Sequence, residues 1–278
     1  MKNNKLAFIG GGNMTRAIAA GLIDSGFDAS NLFISEPVAE TRESLANDFP
    51  GITTTADNKA VAAVASCVLL SVKPQILAAV CRDLRQTVQD TPPLVVSIAA
   101  GTRGADIDTW LGGGLSVVRI MPNQPALLRL GVSGLFANER TSPAERQRAA
   151  EIIGAVGSVV WVDSEADIDA VTAVSGSGPA YFFLLIDALM KTAVDLGIAE
   201  NVARTLAIET ANGAAALAAA ESESMDSLIA RVRSPGGTTA AALDSLENAN
   251  VRDIFSTAIT AARDRAQVLA DEAHSSGN

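Results

Sequence analysis

Through the first half of the chain, short apolar runs alternate with segments of helical period. The runs at 6–9, 32–35, 52–54, 67–72, 94–98 and 117–121 read as strands, and those at 132–136 and 159–162 follow them. Between them, residues 17–23, 39–47, 57–64 and 143–153 have helical character, with Asp57 as a cap. Near-continuous apolar strands separated by helices predict a parallel sheet covered on both faces. Past Asp163 the strand pattern stops and the rest reads as helix. The expected division is therefore an α/β domain over 1–163 and an all-α domain over 164–278.

The helical half has more apolar surface than one chain can cover. Between Pro179 and Gly197, Phe182, Leu185, Ile186, Leu189 and Ala193 form one stripe. Phe183, Leu184, Met190 and Val194 are apolar on other sides, leaving Asp187, Lys191 and Asp195 as a narrow polar strip. This predicts a homodimer at least. A last helix over 251–270 carries Val251, Phe255, Ala258, Ala262, Ala266 and Leu269 on one face, and the tail after Asp271 reads as polar and frayed.

Composition narrows the function classes. Hydrophobic residues make up 48% of the chain, which excludes global disorder. The net charge of −10 and the lack of a basic block argue against a nucleic-acid partner. Cys67 and Cys81 have no metal-type spacing and read as buried thiols of a reducing compartment, so no metal is expected. His274, the sole histidine, stands in the polar tail and reads as solvated. Residues 1–5 are too short and polar for a signal peptide, and no apolar span is judged long enough to cross a membrane. A cytoplasmic protein is expected.

The chemistry begins where the first strand ends. Gly10, Gly11 and Gly12 lead into a helix at Asn13. Glycines there allow positive φ and close approach of an anion, which the N–H groups of the first helical turn then face. This is most of a dinucleotide-binding fingerprint, although Thr15 stands at its third position in place of Gly or Ala. Glu36, at the end of the second strand, is placed to bind the ribose hydroxyls of NAD, whereas Ser35, Asn58 and Lys59 are placed to hold a 2′-phosphate; these residues leave NAD and NADP both open. Three later strands end at Lys73-Pro74, Ala99-Ala100-Gly101 and Pro122-Asn123, which suggests a lined cleft at one sheet edge. A second glycine turn, Ser234-Pro235-Gly236-Gly237-Thr238-Thr239, opens a helix whose N–H groups suit a small carboxylate.

Taken together, Gly10-Gly11-Gly12-Asn13-Met14, Val72-Lys73-Pro74-Gln75, Ser97-Ile98-Ala99-Ala100-Gly101, Met121-Pro122-Asn123, Ser175-Gly176-Ser177-Gly178-Pro179-Ala180-Tyr181 and Ser234-Pro235-Gly236-Gly237-Thr238-Thr239 resemble pyrroline-5-carboxylate reductases, in order and over nearly the whole chain. The resemblance implies a Rossmann-like N-terminal domain followed by an all-α dimerisation domain that builds the active site with its partner. It implies reduction of the cyclic imine of Δ1-pyrroline-5-carboxylate to L-proline, with NADPH as the expected cofactor and NADH as the alternative. It places Gly10, Gly11, Gly12, Asn13, Met14, Ser35, Asn58, Val72, Lys73, Pro74, Ala99, Ala100 and Asn123 at the cofactor. It places Glu165, Thr172, Ser177, Ser234, Gly236, Gly237 and Thr238 around the substrate, and Thr239 is the candidate to hydrogen-bond the ring nitrogen. The competing readings are a hydroxyacid dehydrogenase, for which Lys191 would be the only lysine available in the helical half, and a non-catalytic nucleotide-sensing dimer.

Overall fold

Successive residues of the central strands enter opposite helical layers. In the computed structural model, which describes residues 5–276, strand β1 (Leu6–Ile9) sends Leu6 and Phe8 into one core with Leu32, Ile34, Cys67 and Leu69. Ala7 and Ile9 enter the other, with Val68, Leu70 and Val95. Burial on both faces is why these strands are apolar at every position rather than at alternate ones.

The chain then runs α1 (Asn13–Asp24), β2 (Leu32–Ser35), α2 (Ala39–Asp48), β3 (Thr53–Thr55), α3 (Asn58–Val64), β4 (Cys67–Leu70), α4 (Pro74–Asp90), β5 (Leu94–Ser97), α5 (Gly104–Trp110), β6 (Val117–Met121), β7 (Gly131–Ala137), α6 (Pro143–Gly154) and β8 (Gly157–Trp161). The eight strands form one sheet in the order β3-β2-β1-β4-β5-β6-β7-β8. Only β6 and β7 pair antiparallel. Helices α1 and α6 cover one face, and α3, α4 and α5 cover the other. Short α5, with glycine and two aspartates in its seven residues, has too little periodicity to be read from the sequence.

From β1 the chain winds outward to β2 and β3, then returns to β4 on β1's other side. A crevice opens between strands where winding reverses in this way. Gly10 ends β1 and Ser71 ends β4, so both sit at that reversal.

After β8 the chain is helical: α7 (Asp167–Val171), a π-helical turn Thr172–Gly176, α8 (Gly178–Asp195), α9 (Glu200–Ala220), α10 (Met225–Val232), α11 (Thr238–Asn248) and α12 (Val251–Ser276). Packing divides the chain differently from the 163/164 boundary drawn on secondary structure. One compact unit includes residues up to Ser177 and those from Ala262 onward; the other is Gly178–Ala261.

Two sequence expectations are corrected. The segment after Asp271 is helical to Ser276 rather than frayed, because Ala266 and Ala270 are buried and Asp271 and His274 pair with Arg103 and Asp106. The stretch Asp167–Asp195 is, by length and composition, long and apolar enough to cross a membrane. Its apolar residues are largely uncovered: Phe182, Phe183 and Leu184 are 61%, 59% and 70% exposed. Helix α8 also carries the Asp187–Lys191 ion pair at 2.7 Å.

Candidate active site

The three glycines of the first turn differ in what surrounds them. Gly10 has φ +105°, and a Cβ there would lie 2.8 Å from the Ser71 carbonyl oxygen. At Gly11 a Cβ would strike Leu45 Cδ1 at 2.7 Å and crowd the Glu36 side chain at 3.2 Å. Gly12, the N-cap of α1, has ordinary backbone angles and open space where its Cβ would be. Only the third glycine leaves room for something outside the protein. Thr15 is fully buried, and its hydroxyl donates to the Gly10 carbonyl oxygen at 2.7 Å.

Around this turn, Gly10 N–H donates to the Ser35 carbonyl oxygen at 2.8 Å, joining β1 to β2. The Ser35 hydroxyl donates to Asn58 Oδ1 at 2.6 Å, so two of the expected cofactor residues are in contact. Lys73 is the N-cap of α4 and Pro74 occupies its first turn, where the missing N–H costs no helical bond. Val72 Cγ1 lies 3.3 Å from where a Gly10 Cβ would be. Beyond β5, Ala99 is buried and Gly101 has φ +64°. A cavity of about 380 Å³ is lined by Pro74, Gln75, Ala100, Gly101, Trp110 and Leu269. The Ser71 hydroxyl, beside Gly10, is buried with no protein partner among the described residues.

The Asn123 amide is engaged within the protein at both ends. Its Nδ2 donates to the Ser175 carbonyl oxygen at 3.2 Å, and its Oδ1 accepts from Val132 N–H at 3.0 Å. Both ends of the amide tie the loop after β6 to neighbouring backbone.

Helix starts separate into two kinds. Asp57 caps α3, Ser142 and Glu145 form a capping box on α6, and Ser224 caps α10. Acidic residues occupy the first turns of α2, α5, α7, α9 and α12. Among helices whose N-caps are described, α1, α4 and α11 alone have neither a capping side chain nor a first-turn acid. No side chain of their own first turns or caps offsets their N-terminal partial positive charge, which suits an external anion, although at α1 the Glu36 carboxylate accepts from Gly11 N–H one residue before the cap. The α1 and α11 starts are the two glycine turns found in the sequence.

Of the expected substrate residues, Glu165, Thr172 and Ser177 belong to the first unit. Glu165 Oε1 accepts from Gly104 N–H at 2.5 Å and from Arg119 Nη1 at 2.8 Å. Arg119 lies on β6 with its side chain only 6% exposed, so this pair holds a buried cation. Burial pushes the Asp169 carboxyl up from its ordinary value, against the pull of Arg119 and Arg103. The Thr172 hydroxyl donates back into α7, to the Ile168 carbonyl oxygen at 2.8 Å, and Ser177 N–H closes the π-helical turn on the Thr172 carbonyl oxygen at 2.8 Å. Such turns often mark functional positions in helices.

Missed in the sequence was the pairing of His274 Nδ1 with Asp106 Oδ1 at 2.6 Å. The partners are 168 residues apart, and no local pattern signals the contact.

In the second unit, Gly236 has φ +68° and Gly237 is the N-cap of α11. A Cβ at Gly237 would meet Ser234 Oγ at 2.7 Å, and Gly237 N–H donates to the Ser234 carbonyl oxygen at 3.0 Å. Thr238 and Thr239 form the first turn of the helix. The turn is braced by Arg233, which pairs with Asp244 and Glu247 of the same helix.

Both halves match described families. "Pyrroline-5-carboxylate reductase dimerisation" covers residues 165–269, and "NADP oxidoreductase coenzyme F420-dependent" covers residues 5–101. The pyrroline-5-carboxylate reductase of Pseudomonas aeruginosa is 43% identical across 98% of this chain and 99% of its own length. The chain belongs to the pyrroline-5-carboxylate reductase family. A pyrroline-5-carboxylate reductase from Coxiella burnetii superposes with a TM-score of 0.92 at 40% identity, covering 96% of this chain and 98% of that one. The pyrroline carboxylate reductase of Plasmodium falciparum, solved with NADP bound, superposes at 0.85 with 26% identity over 97% and 99%. Family membership agrees with the Rossmann-like sheet followed by a helical region, as the sequence implied.

Proposed function

We propose that this protein reduces the carbon–nitrogen double bond of Δ1-pyrroline-5-carboxylate to give L-proline, as a homodimer or larger homo-oligomer, with NAD(P)H supplying the hydride. The observation that carries the reading is a pair of glycine-bearing helix starts, at α1 and α11, with no capping side chain and no acid in the first turn, in a chain of this family. The first suits a dinucleotide diphosphate, since the missing Cβ of Gly12 opens space before the N–H groups of Asn13 and Met14. The second suits a small carboxylate, for which the sequence offered the N–H groups of Gly236, Gly237 and Thr238; Gly237 N–H is taken by the Ser234 carbonyl oxygen, which leaves those of Gly236 and Thr238.

In this reading the chain's work is placement. A carboxylate fixed at one end of a small ring sets the position of its reacting carbon. Thr239, at the start of α11, holds the ring nitrogen through its hydroxyl. Glu165, Thr172 and Ser177 shape the substrate's surroundings through the π-helical turn and the Arg119 pair. Lys73 and Pro74 bring α4 to the cofactor edge, with Val72, Ala99 and Ala100 beside it, while Ser35 and Asn58 stand at the ribose end. Asn123 acts by holding its loop. The exposed apolar side chains of α8 are the surface that a second copy covers. The protein works in the cytoplasm in this reading, consistent with two unpaired buried cysteines.

The test is loss of reduced-nicotinamide absorbance with pyrroline-5-carboxylate, run against 3-hydroxy acids with NAD. Turnover of the imine alone is expected; oxidation of the hydroxy acids, or turnover of neither, overturns the assignment.

A further inference from the structure

The carboxylate of Glu36 is held at the carboxyl end of β2 by two backbone donors. Oε2 accepts from Gly11 N–H at 2.9 Å and Oε1 from Val38 N–H at 3.0 Å. Gly11 makes this possible, because a Cβ there would stand 3.2 Å from Glu36 Cβ and Cγ. The negative charge is thus fixed against the glycine turn that faces the cofactor.

The polar groups that the sequence offers for a 2′-phosphate have other partners. The Ser35 hydroxyl is bonded to Asn58 Oδ1 at 2.6 Å, and Lys59 Nζ pairs with Asp83 Oδ1 at 2.6 Å. Arg42, the remaining cation at this turn, donates through Nη1 to the Glu36 and Pro37 carbonyl oxygens at 2.7 and 2.8 Å. A carboxylate has about four lone-pair sites, so Glu36 retains capacity for ribose hydroxyls after accepting two N–H bonds. A phosphate monoester carries roughly −1.5 to −2 charge at neutral pH and meets that same carboxylate as a like charge.

We propose that Glu36 sets the choice between the two nicotinamide cofactors, favouring the free 2′-hydroxyl of NADH over the 2′-phosphate of NADPH. This rests on the dinucleotide half of the function proposed above and is independent of the imine. Gly11 and Glu36 then act as a unit: the glycine admits the carboxylate, and the carboxylate selects the ribose.

The experiment titrates the purified protein with NADH and with NADPH, following nicotinamide fluorescence without substrate, for the wild type and for Glu36→Gln and Glu36→Ser. The wild type is expected to bind NADH more tightly, and each variant to shift the Kd ratio by about tenfold toward NADPH, the scale of a relieved like-charge contact. A role confined to bracing the turn would weaken both cofactors equally. An unchanged ratio in folded variants, or a wild type that prefers NADPH, overturns the proposal. Failure of either cofactor to bind sinks the dinucleotide reading with it; binding of both without imine turnover sinks only the substrate assignment.

Discussion

Thr15 donates its hydroxyl to the carbonyl oxygen of Gly10 at 2.7 Å, and both residues are buried. The position that departs from the glycine fingerprint is therefore a brace inside the turn. Thr15→Val keeps the shape and removes the donor, leaving a buried carbonyl short of a partner. It should lower unfolding free energy by about 1–3 kcal/mol, read from urea denaturation. An unchanged midpoint would show that the hydroxyl contributes nothing.

Alanine at Gly10 and at Gly12 should separate folding from binding. Gly10→Ala meets a positive φ and the Ser71 carbonyl oxygen, and should cost more than about 1 kcal/mol of stability. Gly12→Ala meets open space, so its thermal midpoint should stay close to wild type while dinucleotide affinity falls. Equal affinity in Gly12→Ala, measured by titration, would remove that space from the cofactor site.

Burial pushes both thiols, Cys67 and Cys81, up to about 12. The native protein should not react with a disulfide reagent at pH 8, and both thiols should react after unfolding. The same shifts bear on alkaline stability. As pH rises above the unfolded thiol value of 9.0 toward about 12, the unfolded chain loses protons that the folded one retains. Stability should fall through that window, and Cys67→Ala should reduce the slope.

Phe182 and Phe183 stand in consecutive positions on α8, both more than half exposed. If a second copy covers them, Phe182→Asp should shift the protein from dimer or larger to monomer at micromolar concentration. Light scattering measures this directly; an unchanged mass would move the interface elsewhere.

Thr239→Ala should reduce kcat/KM for the imine and leave dinucleotide affinity nearly unchanged, because the residue starts α11 while the dinucleotide turn starts α1. Steady-state kinetics with a parallel binding titration tests both halves. An unaffected kcat/KM would remove Thr239 from the chemistry.

Local periodicity was enough to find the strands from β1 to β8, most of the helices and both glycine turns, because a strand buried on two faces or a glycine before a helix leaves its mark within a few residues. The full set of motifs also carried the family. Tertiary structure decided what those residues touch. Thr15 proved to brace Gly10, Glu36 to bond Gly11 N–H, and Asn123 to tie Ser175 to Val132. Arg119 with Glu165, and His274 with Asp106, join residues 46 and 168 positions apart. Such pairings depend on strand order and on where the end of α12 packs, and neither leaves a periodic trace in the chain.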